Sequence, residues 1–184
     1  MADPYKNLRE FFASLGLDPK VDPHLEQTPQ RVAQMLEDLF ARASDPPPQM
    51  SVFEAEGEDA PVQLHALQFR SMCVHHFLPF FGTIDIAYIP GAKIAGFGSF
   101  IRVIDWASGR PQLQERLVEQ IVDTIQQQLE PNGLLVRLRA RQMCVEMRAG
   151  RAGTYVSLGA RGSMREGSLR ETAIAQFVAA EQPI

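Results

Sequence analysis

Cysteine and histidine residues at metal-ligand spacing are the feature of this sequence that most directly indicates chemistry. Cys73-Val74-His75-His76 offers a thiolate and two imidazoles in one short segment, and Cys144, the only other cysteine, lies far downstream. Two thiolates and one imidazole can bind zinc tetrahedrally and leave the fourth position for water, as catalytic sites do, whereas structural sites usually have four protein ligands. Two cysteines exclude a four-cysteine site. The pattern favours a hydrolytic zinc site.

The same two cysteines also have a simpler explanation, because free cysteine is among the most buried residue types. A single Cys-x-x-His motif does not decide between packing and metal binding. The second imidazole favours the metal hypothesis, since a histidine beside a metal can transfer protons. On the pattern alone, both interpretations stay open.

Composition limits the class of protein. The chain has 184 residues, 45% of them hydrophobic, which is enough for a compact domain with a core. Its net charge of −4 gives no basic excess, so we expect no nucleic-acid partner. We expect no membrane association either, because no apolar run approaches the length of a membrane span. The start, MADPYKNLREFF, lacks the features of a signal peptide, and two distant cysteines suit a reducing cytoplasm.

Residues 1–60 are predicted to form an N-terminal helical region and a linker. Apolar residues recur at helical spacing from Leu8 to Leu15, and Gly16 is predicted to end this first helix. Thr28-Pro29 is predicted to be the N-cap and first turn of a second helix. A run of prolines at 46–48 then predicts the linker.

Residues 61–184 are predicted to form an α+β domain. Alternating residues at 83–89 predict a strand, and the apolar stripe of 111–129 predicts the clearest helix. The alternation from 134 to 138 predicts a half-exposed strand that delivers Gln142 and Cys144, with its arginines on a solvated or intersubunit face. A strand near 154–158 and a helix from about residue 168 complete the pattern.

Four segments, in order, resemble motifs of the GTP cyclohydrolase I family: TPQRVAQM at 28–35, SMCVHHFLPFFG at 71–82, PQLQERL at 111–117 and QMCVEMR at 142–148. The resemblance covers nearly the whole chain after the first helix. It implies a tunnelling fold, in which an antiparallel four-stranded sheet with helices on one face is closed into a barrel by neighbouring subunits. It also implies a homo-oligomer, commonly a decamer, with active sites at subunit interfaces. Such assembly would pair exposed sheet edges.

The resemblance also implies which residues form the reactive centre. It matches Cys73, His76 and Cys144 to the zinc ligands of the family. It matches His75 to the histidine that works beside the metal. The cofactor that it implies is therefore zinc, although Fe(II) or Mn(II) could occupy a site of this kind; two thiolates favour zinc.

The same resemblance implies the substrate contacts. Gln114 and Glu115 match the pair that recognises the guanine edge, and a carboxylate suits this task because it can accept from the ring N–H and the exocyclic amine together. Arginines suit phosphate oxygens because the guanidinium forms paired, charge-assisted hydrogen bonds. The arginines matched to triphosphate contacts are Arg31, Arg102 and Arg148.

The sequence departs from the family pattern at several positions. Gln142 stands where the family has a histidine implicated in proton transfer, and glutamine cannot titrate in the working range. Ser99 replaces a lysine expected near phosphate, and Gly98 replaces its serine neighbour. Val74 replaces the acid between the zinc cysteine and the histidines. Metal and base recognition are kept, while proton handling and phosphate binding are reduced.

Three hypotheses follow for the function. The leading one is a zinc-dependent GTP cyclohydrolase I, a hydrolase acting at C8 of the guanine ring of GTP to give 7,8-dihydroneopterin triphosphate and formate. The second is a diverged zinc purine hydrolase that stops at the ring-opened formamide or acts on another guanine-like purine. The third is a non-catalytic zinc-binding paralogue that assembles with an active enzyme.

Overall fold

The chain forms two compact units. The computed structural model describes residues 4–57 and 60–181, and the units divide between Ser44 and Asp45. The assignment of 1–60 to a helical region with its linker, and of 61–184 to a catalytic domain, stays a prediction.

The first unit consists of two packed helices, α1 (Pro4–Ser14) and α2 (Thr28–Phe40), with a short 3-10 turn between them. Gly16 follows α1 with φ of +77°, a conformation that glycine adopts without steric cost. The predicted end of α1 is therefore confirmed. The predicted N-cap of α2 was wrong by one position, because Thr28 is already helical and the preceding residue, Gln27, is the N-cap.

The second unit combines strands and helices, and the predicted α+β class is confirmed. Its strands are β1 (Val52–Glu54), β2 (Val62–Cys73), β3 (Pro79–Ile89), β4 (Lys93–Ala95), β5 (Pro111–Gln112), β6 (Gly133–Gln142) and β7 (Tyr155–Gly162). Its helices are α3 (Phe97–Ser108), α4 (Gln114–Leu129), α5 (Met143–Ala149) and α6 (Ser168–Ala179). Among the helices described, none is both long and apolar enough to span a membrane.

The main sheet has the strand order β5-β2-β3-β6-β7. Its four long strands, β2, β3, β6 and β7, are antiparallel to their neighbours. The two-residue strand β5 pairs in parallel with the end of β2, where Cys73 lies opposite Gln112. Strands β1 and β4 form a separate two-stranded sheet. The four-stranded antiparallel sheet of the tunnelling fold is therefore present.

Helices α3 and α4 cover one face of the sheet and form the main core. Five of the six residues predicted for the apolar stripe of α4 are fully buried: Leu117, Ile121, Val122, Ile125 and Leu129. The prediction was wrong for Leu113, which is the N-cap of α4 and is exposed. Gly159 of β7 allows close approach, because a Cβ there would lie 2.7 Å from Val118 and 2.8 Å from Val122 of α4. The helix consequently lies directly on β7. Its first residue, Gln114, contacts the end of that strand.

The other face of the sheet holds a buried ionic cluster beneath α6. Arg137 of β6 is 4% exposed, so the prediction that the arginines of this strand lie on a solvated or intersubunit face was wrong for Arg137. Its Nη2 donates to Asp85 Oδ2 at 2.7 Å and to the Phe177 carbonyl at 2.7 Å, and its Nη1 donates to Glu181 Oε1 at 2.8 Å. Asp85 also accepts from the backbone N–H of Ala66, a bulge residue with φ of +54°. The cluster therefore fixes both α6 and the bulge in β2.

Replacing Asp85 by alanine is expected to lower the free energy of unfolding by about 3–5 kcal/mol, because it leaves a buried guanidinium without its main partner. Chemical denaturation measures the effect. Lys93→Met is the matched control, since Lys93 pairs with Glu130 at a largely exposed site and should change stability by less than about 1 kcal/mol. Equal effects of the two substitutions would contradict a special role for the buried pair.

Candidate active site

A tight turn between β2 and β3 positions the histidines. Cys73 ends β2, where its backbone N–H donates to the Leu78 carbonyl at 2.8 Å, and the N–H of Phe77 donates to the Cys73 carbonyl at 2.9 Å. Phe77 has φ of +51°, which closes the turn. His75 and His76 therefore lie on the exposed tip of a short, internally bonded segment.

The short helix α5 positions the second cysteine. The sequence predicts that a strand delivers both Gln142 and Cys144, but β6 ends at Gln142 and Cys144 lies in the first turn of α5. A bidentate ion pair anchors this helix to the strand, with Arg141 Nη2 2.6 Å from Glu146 Oε2 and Nε 3.0 Å from Oε1. The hydrogen bonds from Arg141 hold the pKa of Glu146 below its usual value.

Three side chains form a candidate metal-binding group. The ligand atoms of Cys73, His76 and Cys144 all lie within 4.8 Å of one another, and Cys73 Sγ is 3.8 Å from His76 Nδ1. Ligands on a tetrahedral zinc ion would place sulfur and nitrogen about 3.6 Å apart. Burial, and then the neighbouring Cys73 sulfur, raise the pKa of the Cys144 thiol, so a metal ion must displace a proton to bind there. The donor set and spacing fit a thiolate-binding divalent cation.

A cavity of about 340 Å³ opens beside this group. Both cysteines and His75 line it, together with Glu115 from the first turn of α4. Its remaining walls come from the ends of β3, β5, β6 and β7 and from the starts of α4 and α5: Phe80, Gln112, Leu113, Gln114, Gln142, Val145, Tyr155, Val156 and Ser157. Two candidate metal ligands and the carboxylate of Glu115 therefore line the same open cavity.

Gln114 and Glu115 are adjacent in sequence but differ in their surroundings. Gln114 is 7% exposed, and its side-chain amide is bonded to other protein groups. Glu115 is exposed at the cavity.

The predicted arginines lie in different places. Arg148 of α5 is beside the metal-binding group, with Nη1 2.6 Å from His76 Nε2. Arg102 of α3 contacts the hydroxyls of Ser99 at 3.1 Å and Ser51 at 3.3 Å, and these residues do not line the cavity. Arg31 is an exposed residue of the first unit, where it donates to Gln27.

Tyr155 is a cavity residue that the sequence analysis missed. It begins β7, its ring lies on the side of Gly153 where a Cβ would be, and its backbone carbonyl accepts a hydrogen bond from Gln114. The only sequence signal was its place at the start of a predicted strand near 154–158. The sequence does not show which strand this one pairs with. In the structure β7 pairs with β6, and Tyr155 lies opposite Ala140.

Comparison with known proteins decides the family. The GTP cyclohydrolase I family model matches residues 5–177. The chain belongs to the GTP cyclohydrolase I family. Relatives named GTP cyclohydrolase 1 include one from Leifsonia xyli, 42% identical over 171 residues, covering 90% of this chain and 89% of the relative. Another, from Lactiplantibacillus plantarum, is 41% identical and covers 77% of this chain and 75% of the relative. One from Carboxydothermus hydrogenoformans is also 41% identical and covers 77% and 74%.

Two of the segments that resemble motifs of the GTP cyclohydrolase I family meet at the candidate metal-binding group. The segment SMCVHHFLPFFG, which resembles the family's metal motif, forms the turn with Cys73 and His76. The segment QMCVEMR supplies Cys144 and Arg148 through α5. Cys73 and Cys144 are 71 positions apart in the sequence, but they come together because β3 and β6 are paired neighbours, with Phe80 opposite Gln142.

Proposed function

We propose that this chain is a zinc-dependent GTP cyclohydrolase I. It hydrolyses C8 of the guanine ring of GTP and produces 7,8-dihydroneopterin triphosphate and formate. Its membership of the GTP cyclohydrolase I family supports this proposal. The observation that carries it is the single cavity lined by two metal-ligand thiols, by His75 and by the exposed carboxylate of Glu115.

We propose zinc as the metal because of the donor set. Two thiols and one imidazole are softer ligands than Mg²⁺ or Mn²⁺ prefers, and such sets select zinc among the common divalent ions. Cys73, His76 and Cys144 would hold it, with three protein ligands and one open position. When bound, zinc supplies a Lewis acid that lowers the pKa of water into the neutral range.

The protein groups around this position have separate tasks. Glu115 accepts hydrogen bonds from the guanine edge and so places C8 toward the thiol end of the cavity. His75 lines the same space, and a histidine can give or take a proton near neutral pH. Arg148, at the exposed edge of the site, would bind phosphate. Leu113 and Tyr155 supply apolar wall for the purine.

We assign the other predicted phosphate contacts to Arg102 and Arg31. The Ser99 hydroxyl is buried and already accepts from the backbone N–H of Ser51 at 2.9 Å and from Arg102. Ser99 would therefore act on phosphate through Arg102, whose guanidinium it holds, and not by direct contact. Arg31 lies in the other compact unit, and its role rests on the family motif alone.

Gln142 supports a second candidate function, in which the same hydrolysis stops at an earlier product. Gln142 lies in the cavity where a titratable group would serve the later proton transfers, and loss of a positioned acid–base group typically costs about 10²–10⁴-fold in rate. A diverged purine hydrolase that stops at the ring-opened formamide is therefore the second candidate.

We also propose a cytoplasmic homo-oligomer, most simply a decamer. Strand β7 is an edge of the main sheet, and it exposes Val156 and Leu158 on the face opposite α4. An exposed edge with apolar side chains is normally paired or covered. Pairing with a neighbouring subunit would meet this need and would place a second chain next to the cavity. A guanine nucleotide is the proposed small-molecule partner.

Mass analysis of the products from zinc-loaded protein and GTP tests the proposed function. Dihydroneopterin triphosphate with stoichiometric formate is the expected result. A product heavier than GTP by one water would instead support the diverged hydrolase. Unchanged GTP would contradict both, and capture of zinc without turnover would leave a non-catalytic paralogue as the explanation.

A further inference from the structure

The side chain of Gln142 belongs to a continuous chain of hydrogen bonds. Its Nε2 donates to Gln114 Oε1 at 2.7 Å, and its Oε1 lies 3.8 Å from Cys144 Sγ. Gln114 in turn donates from Nε2 to the backbone carbonyl of Tyr155 at 3.1 Å and to Ser157 Oγ at 3.0 Å. The chain runs from β7 through α4 to the metal-binding group.

The Tyr155 carbonyl gives this chain a fixed direction, because a carbonyl oxygen can only accept. Gln114 must turn its amino group toward β7, so its oxygen faces Gln142. Gln142 must then present its own amino group to Gln114, which leaves its oxygen facing Cys144. Reversing either amide would bring two donors or two acceptors together at a partly buried contact, and such unmade hydrogen bonds are costly.

In this arrangement the Gln114 amide forms its hydrogen bonds with other protein groups. Both its oxygen and its nitrogen are bonded to other residues, and only 7% of the residue is exposed. Glu115, the next residue, is exposed at the cavity. A guanine base in the cavity can therefore reach the Glu115 carboxylate without competing with an existing hydrogen bond.

We propose that Gln114 is a positioning residue for Gln142 and does not read the guanine base, which Glu115 recognises. Gln142 then presents a carbonyl oxygen toward the thiol end of the cavity. This oxygen can accept a hydrogen bond and so orient a donor, but it cannot take up the proton. The inference rests on the proposed function for its substrate, although the hydrogen-bond chain can be tested without turnover.

Nucleotide selectivity tests the first part. Zinc-loaded wild type, Gln114→Met, Gln142→Met and the double variant are compared with GTP and with inosine triphosphate, which lacks the exocyclic amine. We expect Gln114→Met to lower kcat about 5–10-fold, because an orienting hydrogen bond is lost. The ratio of the KM for GTP to the KM for inosine triphosphate should stay unchanged. The double variant should match the single ones. A selective loss of GTP binding in Gln114→Met, or independent additive losses, would overturn the proposal.

Side-chain amide exchange tests the chain directly, with no substrate present. In ¹⁵N-labelled protein the Gln142 NH₂ protons should be protected from solvent exchange, and Gln114→Met should speed their exchange by about 10-fold or more. Gln128→Met is the matched control. Gln128 lies on α4, as Gln114 does, but it donates to the Pro48 carbonyl and accepts from the Met50 N–H, away from the cavity. It should leave Gln142 exchange and kcat unchanged. Equal exchange in wild type and Gln114→Met would overturn the proposal, whereas failure of wild type to convert GTP would contradict only the proposed function.

Discussion

Cys144→Ser is expected to remove most of the bound metal and nearly all of the turnover. Cys144 supplies one of only two thiols in the candidate metal-binding group, whose ligand atoms lie within 4.8 Å of one another. Losing a direct ligand should lower metal affinity by more than the about 10–100-fold that loss of an outer-shell partner costs. Elemental analysis after dialysis against limiting zinc measures the bound metal, and circular dichroism checks that the variant is folded.

Met147→Ser is the control for this experiment. Met147 lies on the same short helix, α5, but is 70% exposed and is not among the cavity residues. It should therefore keep full metal content, so that a loss in Cys144→Ser reports the ligand and not the helix. Unchanged stoichiometry in Cys144→Ser would remove Cys144 from the site, and with it the argument for a thiolate-rich zinc centre.

Glu115→Gln is expected to weaken GTP binding by about 100-fold or more, since two hydrogen bonds to a charged acceptor would be replaced by one neutral acceptor and one opposed donor. An adenine nucleotide lacks the paired N–H groups, so its weak binding should change little. Titration calorimetry with GTP, inosine triphosphate and ATP separates these cases. The selective loss should be smaller for inosine triphosphate, which offers only the ring N–H.

Glu119→Gln is the matched control for the guanine contact. Glu119 lies one helical turn after Glu115 on α4, but its carboxylate pairs with Arg161 at 2.6 Å and is not among the cavity residues. It should leave GTP affinity within about twofold, because exposed ion pairs contribute little. An equal loss of GTP and ATP binding in Glu115→Gln would mean that Glu115 shapes the cavity without reading the base.

Local patterns in the sequence were sufficient for several elements. The stripe on α4 follows from the 3.6-residue period, and Gly16 ends α1 because its φ is positive. Helix α3 was not predicted, although Phe100, Val103, Ile104 and Ala107 have helical spacing. Gly96 and Gly98 lie at its start, and a segment with two glycines is more typical of a loop than of a helix.

The sequence by itself indicated candidate chemistry for this protein: two thiols and an adjacent pair of histidines favour a metal site, and the resemblance to the family implies a role for the glutamine–glutamate pair. Tertiary structure alone decided where these groups lie and which partners they contact. Alternation along β6 shows which residues share a face, but it does not show that α6 and Asp85 bury Arg137 on one face. It likewise does not show that Gln114 and Gln142 bond each other. Both outcomes depend on contacts between segments distant in sequence, and burial and hydrogen-bond direction are set there.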